Sequence, residues 1–376
     1  MSNDLTKVSP ILLAQGLMAL RGYNVMPRLI NSDYQGMASE KNSVINVPIP
    51  SAITTNDVTP ANVPPSTQDV APTSVPITLD QWKEAAFYLT DNDVMQAIAG
   101  VIPMQASEAI KSLANTVNAY IFSMYKNFYG YAGTAGTTPF ASDTTALRDV
   151  RKIMNNQLCP TSDRRLVLSL DAEGNAIVLP LFQQANTSGT TTTQVEGVIG
   201  RKMGYDWFSD QQVPTHTSTA LTAGAATVNG AHSAGAKTVS IAKATNTSPL
   251  VKGDIITFAG DTQTYVVTAD VTLAVGNTNV SIEPGLATAK SGGEAMSLKA
   301  SHVVNLAFHR DAIAFATRPL LAVSHPSVIT NQASDPVSGI TLRLEITREY
   351  KRTRFAYDML YGAQVVRREF GCRLAG

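Results

Sequence analysis

Between residues 43 and 90 the chain leaves itself few options. Val44, Ile45, Val47 and Ile49 form one apolar, extended run, and Val75 to Leu79 form a second, with more extended chain through Phe87, Tyr88 and Leu89. The tract that links them carries Pro48, Pro50, Pro60, Pro64, Pro65, Pro72 and Pro76, and from Pro48 to Thr78 its only charges are Asp57 and Asp69. Proline cannot donate to a sheet ladder, which confines such strands to edges. The pattern predicts an extended hairpin with a long proline-rich tip. A lone two-stranded hairpin is marginal in water. This one therefore has to lie against a neighbouring molecule or against another part of its own chain.

The flanking segments divide by pattern. Residues 1–42 hold one short helical pattern, from 6 to 20, followed by Met26-Pro27-Arg28-Leu29-Ile30-Asn31 without a clear period. The apolar run Pro10 to Leu20 has Asp4 before it and no small-x-small site after it, so it reads as mature chain and not as a signal core. Residues 91–130 are helical. Thr90 is the expected N-cap of a short helix from Asp91, and Pro103 opens a long one. Ile110, Leu113, Ala114, Val117, Ile121, Met124 and Phe128 recur at three and four residues, marking one buried stripe. Gly130 and Gly133 end it.

Residues 131–212 read as mixed α and β. Ser142 or Asp143 caps a helix to Gln157; Arg165 to Leu170 and Ala176 to Leu181 read as strands about the turn Asp171-Ala172-Glu173-Gly174-Asn175. Asn186 to Thr193 reads as a flexible run, and Gly197 to Trp207 as a strand. From 213 to 300 the composition changes. No arginine occurs between Arg201 and Arg310, and Phe258 and Tyr265 are the only aromatics from Pro214 to Ala300. Strand-like runs at 238–241, 254–258, 264–268, 279–282 and 295–298 alternate with turn signals, the pattern of a small β-barrel or sandwich inserted into the mixed block. After it, Leu306 to Ala316 is mostly apolar. Ile340, Leu342, Leu344 and Ile346 alternate with polar residues, as a half-buried strand requires. Phe355, Tyr357, Met359 and Tyr361 continue the alternation, and Gly362 is expected to mark a turn or bulge.

Chemistry is sparse. Charged residues make up 15% of the chain, against a usual ~25%, and the net charge is zero. That excludes tight sequence-independent binding of nucleic acid by the chain as a whole and a disordered polyelectrolyte. Cys159 and Cys372 match no disulfide framework or zinc spacing and read as buried free thiols. None of the five histidines sits in a metal-binding pattern. His309-Arg310-Asp311 opens like a kinase catalytic loop, but Ala312 and Ala316 stand where Leu and Asn are needed; it reads as a salt bridge or cap at a strand end. Asp171 to Asn175 lacks the glycine and glutamate of an EF-hand. There is no phosphate loop, dinucleotide fingerprint or nucleophile elbow. No catalytic, cofactor-binding or metal residue is assigned, and no cofactor is expected. No apolar run is long enough to span a bilayer. One charge feature stands out. Arg343, Arg348, Arg352, Arg354, Arg367 and Arg368, with Lys351 and Arg373, outnumber Glu345, Glu349, Asp358 and Glu369 near the end of the chain. They read either as a solvated strand face or as intersubunit contacts. The mixed signs favour ion pairing between subunits over DNA contact.

The order of parts, and the strings Thr90-Asp91-Asn92-Asp93-Val94, Asn305 to Ala314 and Asp358 to Arg367, resemble the tailed-bacteriophage major capsid (coat) protein of the Hong-Kong-97 type. The β insert resembles that of short-tailed-phage coat proteins. The resemblance implies an α+β fold: residues 1–42 an N-terminal arm, 43–90 an E-loop-like hairpin, 91–130 with 335–376 a peripheral domain built on a spine helix, 131–212 with 301–334 an axial domain, and 213–300 an inserted β domain. It implies no catalysis and no membrane. It implies self-assembly in the host cytoplasm into hexamers and pentamers of an icosahedral virion shell around double-stranded DNA, loosely touched. Portal and scaffolding proteins are implied partners, with a decoration protein as a further one. Some members crosslink through a Lys–Asn isopeptide bond. No lysine lies between Lys41 and Lys83, so no crosslink of that kind is expected, and denaturing gels of mature particles would show no covalent ladder. The alternatives are another virion or surface protein, such as a tail-tube subunit or adhesin, and an enzyme with an unrecognised site. Particle size separates them.

Overall fold

The computed structural model describes residues 13–14, 25–34, 44–50, 71–91, 101–184, 192–221, 226–322, 328–335 and 339–376, with single positions at 53, 55, 57, 60 and 189. Of the helix expected at 6–20 only Leu13 and Ala14 are described, and both are helical; most of the hairpin tip and of the 186–193 run fall outside these residues. The chain divides into two units. The first joins Met1–Leu17, Ser32–Ala109 and Ala314–Val366; the second joins Met18–Asn31, Ile110–Ile313 and Arg367–Gly376.

In the first unit the period-two segments form a five-stranded sheet. The long strand Arg352–Val365 pairs antiparallel with Thr341–Glu349 on one side and with Gln81–Thr90 on the other. Ile313–Arg318 and Val328–Ser334 complete the sheet. Lys351 takes φ 55° in the two-residue turn. Leu344, Ile346, Phe355, Tyr357 and Met359 are buried on one face, where Phe87 stacks on Phe355 at 5.2 Å. Thr90, expected as a helix cap, ends its strand and stands directly before Asp91, which is helical. The hairpin strands Val44–Ile49 and Thr73–Thr78 pair antiparallel. Its base is buried by its own chain: Ile45, Val47, Ile77 and Leu79 cluster with Ala314, Ala316 and Leu360. Gly362 is not a turn. It sits inside the long strand because Thr78 crosses there, so close that any Cβ would overlap the Thr78 carbonyl.

The long helix runs Val101–Ser123 and ends in a 3-10 turn, Met124–Asn127. Its stripe Ile110, Leu113, Ala114, Val117 and Ile121 is buried, as is Phe128. The second unit contains a seven-stranded sheet. Its order is Gly130–Gly133, Gly371–Ala375, His302–His309, Arg164–Leu168, Tyr205–Ser209 and Arg201–Lys202, with Thr215–His216 also on His302–His309. The helix Thr145–Asn156 packs Leu147, Val150 and Met154 into the sheet's core, which also holds Cys159 and Cys372. Both cysteines are free, and burial pushes both thiols up.

Several expectations change here. The supposed hairpin at 165–181 is one strand followed by a helix, Leu170–Val178. Ser169 caps it by accepting from Ala172 N, Asp171 and Glu173 sit at its positive end, and Ala172 and Ala176 are buried one turn apart. Gly197 to Trp207 is not one strand but contains a turn at Met203 and Gly204, with φ 52° and 86°. The segment 335–376, expected in one domain, is divided: Arg367–Gly376 belongs to the second unit, because Gly371–Ala375 pairs with His302–His309.

The insert is a barrel. Its strands run in the order Met296–Leu298, Ile255–Phe258, Tyr265–Val267, Gly276–Glu283, Thr238–Lys243 and Ala226–Val228. The first and last then meet: Thr227 bridges Ala295, and Val228 N donates to Glu294 O at 2.9 Å. Closure removes the free edges that a sandwich would leave. Val239, Ile241, Ile256, Phe258, Tyr265, Val280 and Ile282 fill the interior. The two ends of the insert leave side by side. His216 is opposite His302, and Ser218 N donates to Ser301 Oγ at 2.9 Å.

Candidate assembly surfaces

Each of the six arginines singled out by charge has a carboxylate within its own chain. Arg343 is nearly buried. Its Nε and Nη2 donate to Asp358 at 2.9 and 2.5 Å, and its Nη1 donates to Leu321 O at 2.8 Å. Trp82 Nε1 donates to the same carboxylate at 3.2 Å. The hydrogen bonds that Arg343 donates to Asp358 raise its pKa. Arg348 forks onto Asp91 at 2.5 and 2.7 Å, and that bond lowers the Asp91 pKa. Arg352 pairs with Glu349 at 2.6 Å and lies over the Tyr88 ring at 4.3 Å. Arg354 pairs with Glu84. In the second unit Arg367 reaches Glu369 at 3.4 Å and Arg368 reaches Glu283 at 3.2 Å. Asp91, Glu84 and Glu283 were not anticipated as partners. They come from distant segments, and nothing local in the sequence marks them. Arg343 is committed inside the sheet, whereas Arg348 and Arg352 are about half exposed (52% and 49%).

A second surface was not anticipated. Leu158, Leu170, Val178, Leu181, Val195 and Val198 are all exposed, and all lie within 158–208 of the second unit. The helix Leu170–Val178 explains part of this. Ala172 and Ala176 occupy its buried face, which leaves the larger Leu170 and Val178 facing solvent. Nearby, Val198 and Phe208 line an apolar recess of about 330 Å³ with Leu168, Ile199 and Trp207. Exposed apolar side chains gathered into a patch are a feature of interaction surfaces. In the sequence Leu170, Val178 and Leu181 passed for members of two strands and Val198 for part of a third, which hid them.

Tyr125 Oη lies 3.0 Å from His216 Nδ1, and His216 Nε2 lies 3.0 Å from Asp254 Oδ1. The order of groups resembles a nucleophilic triad, but all three side chains are buried beneath the barrel. Asp311 N donates to His309 Nδ1 at 3.1 Å, so His309, and not Arg310 or Asp311, is the cap, and it caps the 3-10 turn Arg310–Ala312 that follows its strand. Among the described residues no group of His, Cys, Asp and Glu is arranged to hold a metal ion, and no helix is long and apolar enough to cross a membrane.

No protein-family model matches the chain, and no curated protein matches it by sequence. Its fold does match solved structures. A chain of Mycobacterium phage Che8 is similar over 93% of this chain and 90% of that one, with a TM-score of 0.54 at 16% identity. A chain from the capsid structure of the cyanophage P-SCSP1u is similar over 93% and 87%, with a TM-score of 0.52 at 12% identity. The mixed helix-and-sheet fold described above is thus the fold of these two phage structures, one of them a capsid.

Proposed function

We propose that this chain is a major capsid protein of a tailed double-stranded DNA bacteriophage, a structural subunit that builds the head shell and catalyses nothing. The observation that carries the reading is the fold likeness to phage structures over nearly the whole chain. The local features support it. The hairpin is anchored at its base and continues into a long proline-rich tip, as a strap laid on a neighbour would need. The apolar surface at 158–208 suits contact between copies around a symmetry axis, where a heterologous interface closes into a ring. In this reading residues 1–42 are the arm, 43–90 the E-loop, and the sheet at 341–365 with the long helix the peripheral domain of a Hong-Kong-97-type subunit. The sheet at 130–209 and 302–309, joined by 371–375, is the axial domain, and the barrel is its insertion. Copies assemble as hexamers and pentamers in the host cytoplasm, with portal and scaffolding proteins as partners, a decoration protein as a further one, and packaged DNA in loose contact. Arg348 and Arg352, exposed and already paired at the surface, are the members of the arginine set best placed to exchange their carboxylates for a neighbour's.

The test is particle formation. Full-length protein, purified alone and after co-expression with a scaffolding protein, is followed by sedimentation and electron microscopy. Closed shells of megadalton mass in either condition are expected. Small discrete oligomers in both would overturn the proposal.

A further inference from the structure

The strand Gly130–Gly133 lies at one edge of the seven-stranded sheet. It pairs parallel with Gly371–Ala375 on one side, and among the described residues no strand pairs with its other side. Backbone groups alternate in direction along a strand. Tyr129 O accepts from Thr264 Oγ1 of the barrel at 2.7 Å, so it points away from the C-terminal strand. By that alternation the N–H and C=O of Tyr131 and the N–H of Gly133 point the same way. On that side no backbone partner meets them among the described residues. An unpaired edge is a template for another extended chain.

The edge opens into a cleft of about 610 Å³. One wall is the helix Thr145–Asn156, which presents Asp149, Lys152 and Asn156 at helical spacing. The other wall is the barrel, through its turn at 262–264 and Lys299. Four residues of strand span about 13 Å, and successive side chains of an added strand would reach the helix wall and the barrel wall in turn. Each wall carries a lysine. Lys299 Nζ lies 5.6 Å from the centre of the Tyr131 ring, and neither Lys152 nor Lys299 has a carboxylate partner among the described residues. The one acid in the lining, Asp149, already accepts from Arg148 at 3.0 and 3.1 Å. Gln157 Oε1, at the end of the helix wall, is buried and has no donor among the described residues. A buried acceptor left so is costly until a donor arrives.

We infer that this cleft binds an extended acidic peptide segment of a partner protein, which adds as a strand to Gly130–Gly133 and sets acidic side chains against Lys152 and Lys299. Main-chain hydrogen bonds supply the affinity in such a mode, and the side chains on the walls supply the choice of sequence. A nucleic-acid strand offers the negative charge but not the alternating N–H and C=O groups that the edge requires. The inference does not rest on the capsid reading.

The experiment titrates full-length protein, whether or not it forms shells, with a fluorescein-labelled octapeptide of threonine and glutamate in alternating pairs. Two counterparts run beside it: one with lysine for glutamate, and one N-methylated throughout, which keeps the charge but removes the ladder. The acidic peptide should bind about tenfold more tightly than either, and at saturation should slow amide exchange at Tyr131 and Gly133. Lys152→Ala and Lys299→Gln should each weaken it about threefold. The peptide series needs no variant, so a variant that fails to fold leaves the test intact. Equal affinity for the acidic and basic peptides, binding without slowed exchange at the edge, or no saturable binding at millimolar peptide overturns the inference. So does exchange at these two amides that slows with protein concentration in the absence of peptide, since a second copy then occupies the edge.

Discussion

Arg343 and Arg352 occupy alternate positions of one hairpin and look alike in the sequence, yet their surroundings separate them. Arg343 and Asp358 are withdrawn from water, with Trp82 closing on the same carboxylate. Arg343→Ala strands Asp358 and should destabilise by about 3 kcal/mol or more. Arg352 remains half in solvent, and Arg352→Ala should change stability by less than about 1 kcal/mol. Chemical denaturation of the two variants checks the contrast. His302 offers a pH test. Burial lowers its pKa from 6.5 to about 4, with its Nδ1 facing Ala300 O at 2.8 Å. Between those values the unfolded chain binds the proton and the folded chain does not. Its contribution to stability is therefore complete above pH 6.5 and is lost as pH falls through 4. His302→Gln should flatten the stability profile across that window and leave it parallel to the parent's above it. None of this was readable beforehand: alternation shows which side chains share a face, but not which face a second layer will cover.

Elements were legible where one periodicity dominated. The buried stripe of the long helix, the alternating terminal strands and every barrel strand except Ala226–Val228 follow from spacing alone. Reading failed where a small residue had two uses. Gly174 suggested a turn at 171–175, but Ser169, Asp171 and Glu173 start a helix that tolerates a glycine within it. Gly362 suggested a bulge, although its purpose is close approach. A methyl group there would meet the Thr78 carbonyl. Gly362→Ala should therefore destabilise by about 1–3 kcal/mol through overpacking, and thermal unfolding checks it. The hairpin was expected to need support from a neighbour or from its own chain, and its base is supported by Ala314, Ala316 and Leu360.

The whole molecule combines segments that are complete within the chain and surfaces that are not. The barrel closes its own edges, whereas the apolar side chains around Leu170 and Val178 have no cover within the described residues. Val178→Asp should leave stability within about 0.5 kcal/mol, as for other exposed positions, while sharply reducing the yield of particles seen by electron microscopy. Undiminished assembly would remove that surface from the interface. The pairing of Arg348, Arg354 and Arg368 was less legible, since Asp91, Glu84 and Glu283 come from distant segments. The two cysteines have a practical consequence. Both are buried in one core with their thiols held protonated, and the thiolate is the reactive form. A maleimide should therefore leave the native chain unlabelled, so that a single cysteine engineered on the exterior becomes the sole attachment point for a dye or cargo, and the rate at which the two native thiols acquire label becomes a clock for unfolding.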